Sequence, residues 1–151
     1  MQNVFDAKDA QEYINRINNL TPETQRKWGK MSVDQVLAHL NVAYDLTFTP
    51  EKFPKPSFIA KFLLSRFVKP KITNEIPYKQ SLPTSPVFII ADERNFEEEK
   101  AKLIGNIQRV QQLGREAFEG KENINFGKMT AQCWNNMFAK HLNHHLDQFG
   151  V

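Results

Sequence analysis

The sequence predicts an all-α fold, a four-helix bundle with one long Pro-rich crossover that contains a short extra helix. Four segments repeat apolar residues at three- and four-residue spacing, which is typical of helices with one buried face. Seven of the eight prolines lie between Pro50 and Pro86, so no long helix is expected to cross that stretch. The 151 residues predict one domain, 1–151, and leave little room for a second.

The first two helices are predicted from about Asp6 to Asn19 and from Ser32 to about Thr47. Ser32-Val-Asp-Gln35 has the pattern of a capping box, in which the Gln35 side chain reaches back to the backbone of Ser32. Each helix has an apolar stripe that we expect to be buried. The stripes are Ala10, Tyr13, Ile14 and Ile17 in the first helix, and Val33, Val36, Leu37, Leu40 and Tyr44 in the second.

The segment from Pro50 to Pro86 is predicted to be an ordered crossover, or a lid over one end of the bundle. One short helix, Ser57–Val68, fits between Pro56 and Pro70. The run that begins at Val87 has the composition of a strand but no partner to pair with, so a strand is not favoured there. We expect the apolar residues of the short helix to lie on the bundle: Phe58, Ile59, Phe62, Leu63 and Phe67.

The last two helices are predicted from about Asn95 to Leu113 and from Thr130 to about Phe149. The third long helix starts with three glutamates, which complement the positive end of the helix dipole, and Gly114 follows its end. Two similar sequences precede the second and fourth long helices, Trp28-Gly-Lys-Met-Ser32 and Phe126-Gly-Lys-Met-Thr130. The similarity can be ordinary helix-start chemistry, or it can indicate related positions in the bundle.

Composition and charge exclude several classes of protein. The net charge is only +3, and the basic residues between Lys52 and Lys79 are spread among prolines and aromatics, so we expect a solvated surface rather than a nucleic-acid interface. Cys133 is the only cysteine, which rules out an intramolecular disulfide. No segment approaches the ~20 apolar residues of a membrane span, and no signal-peptide pattern is present. We therefore expect a cytoplasmic protein with no membrane partner.

All four histidines fall on the second and fourth long helices. Residues four apart lie on one face of a helix, so His141 and His145 share the apolar stripe of Trp134 and Phe138. His39 lies at the flank of the apolar stripe of the second helix. The opposite, solvated side of the fourth helix is expected to carry Asn136, Lys140, Asn143 and Asp147.

Buried imidazoles need partners for their nitrogens, and one divalent metal ion satisfies several at once. The sequence therefore predicts a metal site formed by His39, His141 and His145. Alone, a His-x-x-x-His pair or a single half-buried histidine is more often hydrogen-bonded than metal-bound, but the combination across two helices is more specific. His144, at the edge of the inward face, can be a fourth ligand, a partner of a ligand or a surface residue, and we place it outside the ligand set. Gln148 also lies outside it, where it can hydrogen-bond a ligand imidazole or serve as an ordinary helix-end glutamine.

Two blocks, Trp28-Gly-Lys-Met-Ser-Val-Asp-Gln-Val-Leu-Ala-His39-Leu and His141-Leu-Asn-His-His145-Leu-Asp-Gln148-Phe, resemble the DinB/YfiT-like superfamily of metal-binding four-helix bundles. The second block resembles the His-x-x-His-His-x-x-Gln ending of that superfamily, in which the first and third histidines ligate the metal. The resemblance implies the same three ligands, a fold spanning nearly the whole chain, frequent dimerisation and a zinc or nickel ion. It also implies relatives that include metal-dependent transferases and isomerases using low-molecular-weight thiols.

Three functional hypotheses follow. The first is an enzyme, a metal-dependent transferase or hydrolase acting on a small-molecule substrate or thiol, since three protein ligands leave an open position. The second is a non-catalytic metal-binding or stress-related interaction module, and the third is a helical bundle whose histidines bind no metal. Tyr44 can be a proton donor or a core residue, and Cys133 a reactive thiol or a packing residue; packing is favoured for both.

Overall fold

The computed structural model describes residues 1–151. The chain is mostly helical, which is consistent with the all-α prediction. Irregular turns and single 3-10 turns at Pro50–Lys52, Pro86–Phe88 and Arg115–Phe118 connect the regular elements. Those elements are, in chain order, α1 (Ala7–Asn18), α2 (Val33–Phe48), α3 (Phe58–Leu63), α4 (Lys69–Thr73), α5 (Phe96–Leu113), β1 (Glu122–Asn123), β2 (Gly127–Lys128) and α6 (Ala131–Phe149).

Side-chain caps fix where the long helices begin. Asp6 accepts hydrogen bonds from the first turn of α1, and Asn95 accepts from Glu98 N at the start of α5. The predicted capping box of α2 is present, with Gln35 Oε1 accepting from Ser32 N at 3.0 Å. These bonds satisfy backbone N–H groups that have no partner within the helix. The four long helices lie within one or two residues of their predicted bounds.

The four long helices share one hydrophobic core, in which α1 and α2 each contact both α5 and α6. Aromatic rings fill its centre. Phe118 lies edge-on to Trp134 at 5.6 Å between ring centroids, and Tyr44 stacks on Phe138 at 4.7 Å. The ring of Tyr44 is only 2% exposed, and burial raises the pKa of its hydroxyl far above the ordinary value, so Tyr44 contributes packing to the core.

The prediction for the apolar residues of the short crossover helix is wrong. They do not lie on the helical core but point to solvent, and Phe58 is 87% exposed. The segment contacts the rest of the chain mainly through its C-terminal end, where α4 lies against α6. Periodicity correctly identifies the apolar face of this helix but cannot determine whether anything covers it.

The crossover helix also extends further than predicted. The sequence predicts that Pro70 ends it, yet helical backbone continues to Thr73 through a π-helical turn at Leu64–Val68. In that turn Lys69 N donates to Leu64 O, five residues back. Since a proline ring collides with the carbonyl four residues earlier in a regular helix, the wider turn explains how Pro70 is accommodated.

The crossover covers a face of α6 for which the sequence predicts a solvated surface. Asn136 and Lys140 are 5% and 4% exposed, because residues of α4 and Asn74 lie over them. Asn136 Nδ2 donates to Thr73 O at 2.8 Å. Lys140 Nζ donates to Lys71 O and to Asn74 Oδ1, both at 2.7 Å. The prediction of a solvated side therefore fails for these two residues, which hold the crossover in place.

A two-stranded antiparallel hairpin, which was not predicted from the sequence, precedes α6. β1 pairs with β2, and the connecting turn forms because Asn123 Oδ1 accepts from Asn125 N and Phe126 N. Gly127 has a φ of +68°, in the left-handed region that favours glycine. No helix is both long enough and apolar enough to cross a membrane.

Replacing Lys140 by Met should release the crossover while keeping the aliphatic stem. Two charge-assisted hydrogen bonds disappear, so we expect about 2 kcal/mol less stability in urea unfolding and faster limited proteolysis between Lys52 and Lys79. Lys100→Met is the matched control, because Lys100 Nζ also donates to two carbonyls, Asn18 O and Leu20 O. Equal proteolysis of the crossover in both variants would contradict the anchoring role of Lys140.

Candidate metal centre

Three histidine side chains meet between α2 and α6. His39 comes from α2, and the α6 residues His141 and His145 lie one turn apart on the face that points to α2. His39 and His145 are buried, at 4% and 7% exposed, and His141 is partly exposed. One ligand atom from each of the three rings lies within 4.8 Å of the other two. The structure therefore brings together the three residues that the sequence singled out.

The shortest contact in this cluster joins two ring nitrogens, His39 Nε2 and His141 Nε2, at 2.9 Å. The ring centroids of His39 and His145 are 4.5 Å apart, and those of His141 and His145 are 5.0 Å apart. The rings meet edge to face, at 64–73°. The three rings are therefore packed edge to face rather than stacked on one another.

A backbone carbonyl from the crossover fixes the protonation of His39. His39 Nδ1 lies 2.8 Å from Phe88 O, and because a carbonyl can only accept, Nδ1 must carry the proton. Nε2 of a neutral His39 is therefore unprotonated, with its lone pair in the cluster. The Phe88 ring also packs against His39 at 5.3 Å and against His141 at 5.8 Å, which holds both rings in position.

The side chain of Gln148 fixes the protonation of His145 in the same way. His145 Nδ1 lies 2.8 Å from Gln148 Oε1, while Gln148 Nε2 donates to Trp28 O at 2.8 Å. The second bond fixes which end of the amide is the oxygen, so His145 Nδ1 donates and its Nε2 lone pair is free. Both hydrogen bonds orient a ligand histidine through a partner outside the cluster, as metal-binding histidines usually require.

A tight turn before α2 brings Trp28 O to Gln148. Gly29 has a φ of +81°, and a Cβ built on it would lie 2.5 Å from Gln148 Nε2. Only glycine both adopts this backbone conformation easily and leaves room for the amide. The similar sequence before α6 also has a glycine in the left-handed region, Gly127, so the two helix starts share a backbone feature.

His144 lies beside the cluster rather than in it. Its ring is edge-on to His145 at 4.9 Å, and it also contacts Trp28 and Tyr78 at 6.0 and 5.6 Å. It is partly exposed and borders two surface clefts. The structure thus places His144 next to the three histidines, but its nitrogens do not join theirs.

Burial keeps the three clustered histidines neutral. It lowers the pKa of His39, and it lowers the pKa of His141 well below the ordinary range, with further lowering from His39 and His145. For His145, burial is again the main cause and lowers the pKa to about 3. Neutral imidazole is the form that binds metals, so at pH 7 no proton competes for these lone pairs.

The geometry fits a metal ion. Zn²⁺ binds histidine nitrogens at about 2.0–2.1 Å, so tetrahedral ligands lie about 3.4 Å from each other. The observed nitrogen separations start at 2.9 Å and do not exceed 4.8 Å, a range that contains this spacing. Without a metal, His141 Nε2 donates to the unprotonated His39 Nε2. When the His141 proton moves to Nδ1, the three nitrogens could hold a divalent cation.

A cleft of about 320 Å³ opens next to the cluster, bordered by His145 and His144. Its walls come from the turn before α2 and from the crossover, including Met31, Leu82 and Phe88. A second cleft of similar size is bordered by His144, Tyr78 and Lys140. Of the two, only the first borders one of the three clustered histidines.

Two contributors to the site, Phe88 and Trp28, are not predicted from the sequence, because both act through backbone carbonyls. Any residue can supply a carbonyl, so its identity gives no signal. The only hint for Trp28 is the helix-start sequence that contains Gly29. Cys133 packs partly buried against the core, and its backbone N–H donates to the N-cap residue Thr130. Nothing links Cys133 to the histidine cluster.

Fold and site together define a mostly helical protein with three adjacent histidines that could hold a metal ion. The chain belongs to the family DUF1569, described as a protein of unknown function, whose family model matches residues 2–150. No curated protein and no solved structure matched the chain.

The depressed pKa of His145 predicts acid sensitivity of the metal-free protein. Between pH 6.5 and about 3 the unfolded chain binds a proton that folded His145 does not, so stability is lost as the pH falls through this window. From pH 7 to pH 5 the free energy of unfolding should drop by about 2 kcal/mol because of His145 alone.

Urea unfolding after chelator treatment, at both pH values, measures this loss. His145→Gln is the comparison, since glutamine does not titrate, and its drop should be about 2 kcal/mol smaller. An unchanged pH dependence in the variant would show that His145 is not a buried neutral histidine.

Proposed function

We propose that this protein is a DinB-like four-helix-bundle protein that binds one divalent metal ion through His39, His141 and His145. The single observation that carries the proposal is the meeting of three neutral imidazoles, with His39 Nε2 and His141 Nε2 only 2.9 Å apart. Two of the rings have their outer nitrogen bound elsewhere, by Phe88 O and Gln148 Oε1. Their inner nitrogens are unprotonated and lie within 4.8 Å of each other and of a His141 nitrogen, so one cation could bind all three rings.

Zinc or nickel suits this site better than magnesium or calcium. Imidazole nitrogen is a borderline donor that favours Zn, Ni and Cu, whereas Mg²⁺ and Ca²⁺ favour oxygen. None of the three clustered residues is a carboxylate, so a bound divalent ion keeps its full positive charge. That charge would make it a strong attractor for an anionic ligand such as a thiolate.

The cleft beside His145 supports an enzymatic role over a purely structural one. Three protein ligands leave a further position on a tetrahedral ion, and about 320 Å³ of open space adjoins His145. When bound, the ion would supply Lewis-acid chemistry to a thiol or water. On this proposal the protein is a metal-dependent transferase or hydrolase that takes a small substrate or a low-molecular-weight thiol.

A non-catalytic role is the second candidate, and one observation favours it. His39 belongs to α2 and its partners to α6, and Phe88 ties the crossover to the same cluster. A metal ion there would link three separate parts of the chain. The protein would then be a metal-stabilised interaction module, and the ion would raise its stability without supporting turnover.

Elemental analysis of the untagged protein after zinc or nickel reconstitution tests metal binding. We expect about one equivalent in the wild type and a loss of at least about tenfold in affinity for His39→Ala. His144→Ala is the matched control, because His144 lies beside the cluster without joining it. Metal content that is unaffected in His39→Ala, or lost only in His144→Ala, would contradict the proposed ligand set.

Cobalt-loaded protein separates the enzymatic role from the non-catalytic one. If the open position accepts a thiolate, small thiols should add a sulfur-to-cobalt charge-transfer band in the near-ultraviolet spectrum. A spectrum that is insensitive to every thiol tried, together with a raised melting temperature, would favour the metal-stabilised module. A thiol-induced band would justify assays for thiol transfer.

Gly29→Ala should weaken metal binding although Gly29 is not a ligand. The new Cβ would collide with Gln148 Nε2, and displaced Gln148 would no longer orient His145. Loss of such a supporting bond typically costs about 10–100-fold in metal affinity. Gly120→Ala is the control, because Gly120 also has a positive φ, +69°, but a Cβ added there would meet no atom within 4 Å. Isothermal titration with Zn²⁺ compares the two, and equal affinities would contradict the role of Gln148.

A further inference from the structure

The helical segment from Phe58 to Val68 presents an uncovered apolar surface, here called the apolar helix face. Its members are all at least 38% exposed, and Phe58 and Ile59 reach 87% and 71%. None of them belongs to the hydrophobic core. The apolar helix face consists of Phe58, Ile59, Phe62, Leu63, Phe67 and Val68. Six large apolar side chains on one short stretch far exceed the scattered exposure that is normal for a surface.

The same stretch is strongly basic. Between Lys52 and Asn74 there are six basic residues and no acidic residue. Since the whole chain carries +3, the remaining residues carry a net −3. Of the six cations, four are exposed and form no ion pair: Lys52, Lys55, Arg66 and Lys71. The positive charge of the protein is thus concentrated around its apolar helix face.

The segment is held to the protein from its other side. Lys61 pairs with Glu122 at 2.8 Å, and Lys69 Nζ donates to Lys128 O at 2.9 Å. Lys140 binds the backbone of Lys71 from α6. These contacts attach the helical segment to the hairpin and to α6, while the apolar side chains remain directed outward. The apolar helix face is therefore displayed by a fixed element.

We propose that the apolar helix face docks on the surface of an anionic lipid bilayer. An amphipathic helix with large apolar residues on one side and flanking Lys and Arg lies in the membrane interface, where its apolar side chains enter the acyl boundary. Each basic residue near such a surface adds electrostatic attraction to anionic headgroups. The segment lies on the membrane rather than through it, because the stretch from Phe58 to Val68 is shorter than the ~20 residues of a span.

Charge argues against a second copy of this chain as the occupant. A two-fold symmetric contact places the same patch on both partners, so the four exposed, unpaired basic residues would face four more. An anionic bilayer removes that repulsion, and it accepts a protruding helix without needing a complementary groove. The site is independent of the histidine cluster.

Vesicle co-sedimentation of the full-length protein tests the proposal. We expect binding to phosphatidylglycerol/phosphatidylcholine vesicles, and much weaker binding to phosphatidylcholine alone and at high salt. Phe58→Ser should reduce binding about tenfold. Arg66→Glu should reduce it at least about fivefold. The matched controls are Leu113→Ser and Lys8→Glu, exposed residues outside the basic stretch, and both should bind like the wild type.

Other occupants give distinct results, each of which overturns the proposal. If neither vesicle binds and sedimentation equilibrium shows a dimer that Phe58→Ser dissociates, the face joins two copies. If only a polyglutamate peptide binds, the partner is an acidic protein. Equal binding to both vesicle types would exclude a role for the basic residues. Circular dichroism of each variant checks that the fold is retained.

Discussion

The burial of three neutral imidazoles between α2 and α6 is the constraint on which the site depends. Hydrogen-bonding nitrogens removed from water need partners. Phe88 O and Gln148 Oε1 bind the outer nitrogens of two rings, and His39 Nε2 and His141 Nε2 bind each other. The inner nitrogens of the three rings lie close together. Burial holds the pKa of each ring below its ordinary value. A cluster built in this way is poorly satisfied by protein alone and well satisfied by a divalent cation.

The hydrogen bonds that orient His39 and His145 explain why distant parts of the chain have their observed positions. The turn at Gly29 must be tight so that Trp28 O reaches the Gln148 amide, and the crossover must return over α2 so that Phe88 O reaches His39. Lys140 and Asn136, from the same helix as two of the clustered histidines, hold the middle of the crossover. The Pro-rich segment is thus part of the site as well as a connection between helices.

Much of this could be predicted from the sequence, because periodic burial and capping are local properties. The apolar stripe of α6 placed His141 and His145 on an inward face, and Ser32 with Gln35 marked the start of α2. The predictions that are wrong concern features that leave no signal in the neighbouring sequence. A π-helical turn accommodates Pro70, and whether Phe58 is covered depends on long-range packing. Phe88 and Trp28 contribute carbonyls, which every residue has.

Metal binding by the three histidines is tested most directly by anomalous diffraction from crystals grown with Zn²⁺, recorded on both sides of the zinc absorption edge. We expect one strong anomalous peak about 2.1 Å from Nε2 of His39, His141 and His145, with a fourth position open toward the cleft. A zinc ion bound elsewhere with the cluster left empty, or an ion held by His144 in place of His39, would contradict this expectation.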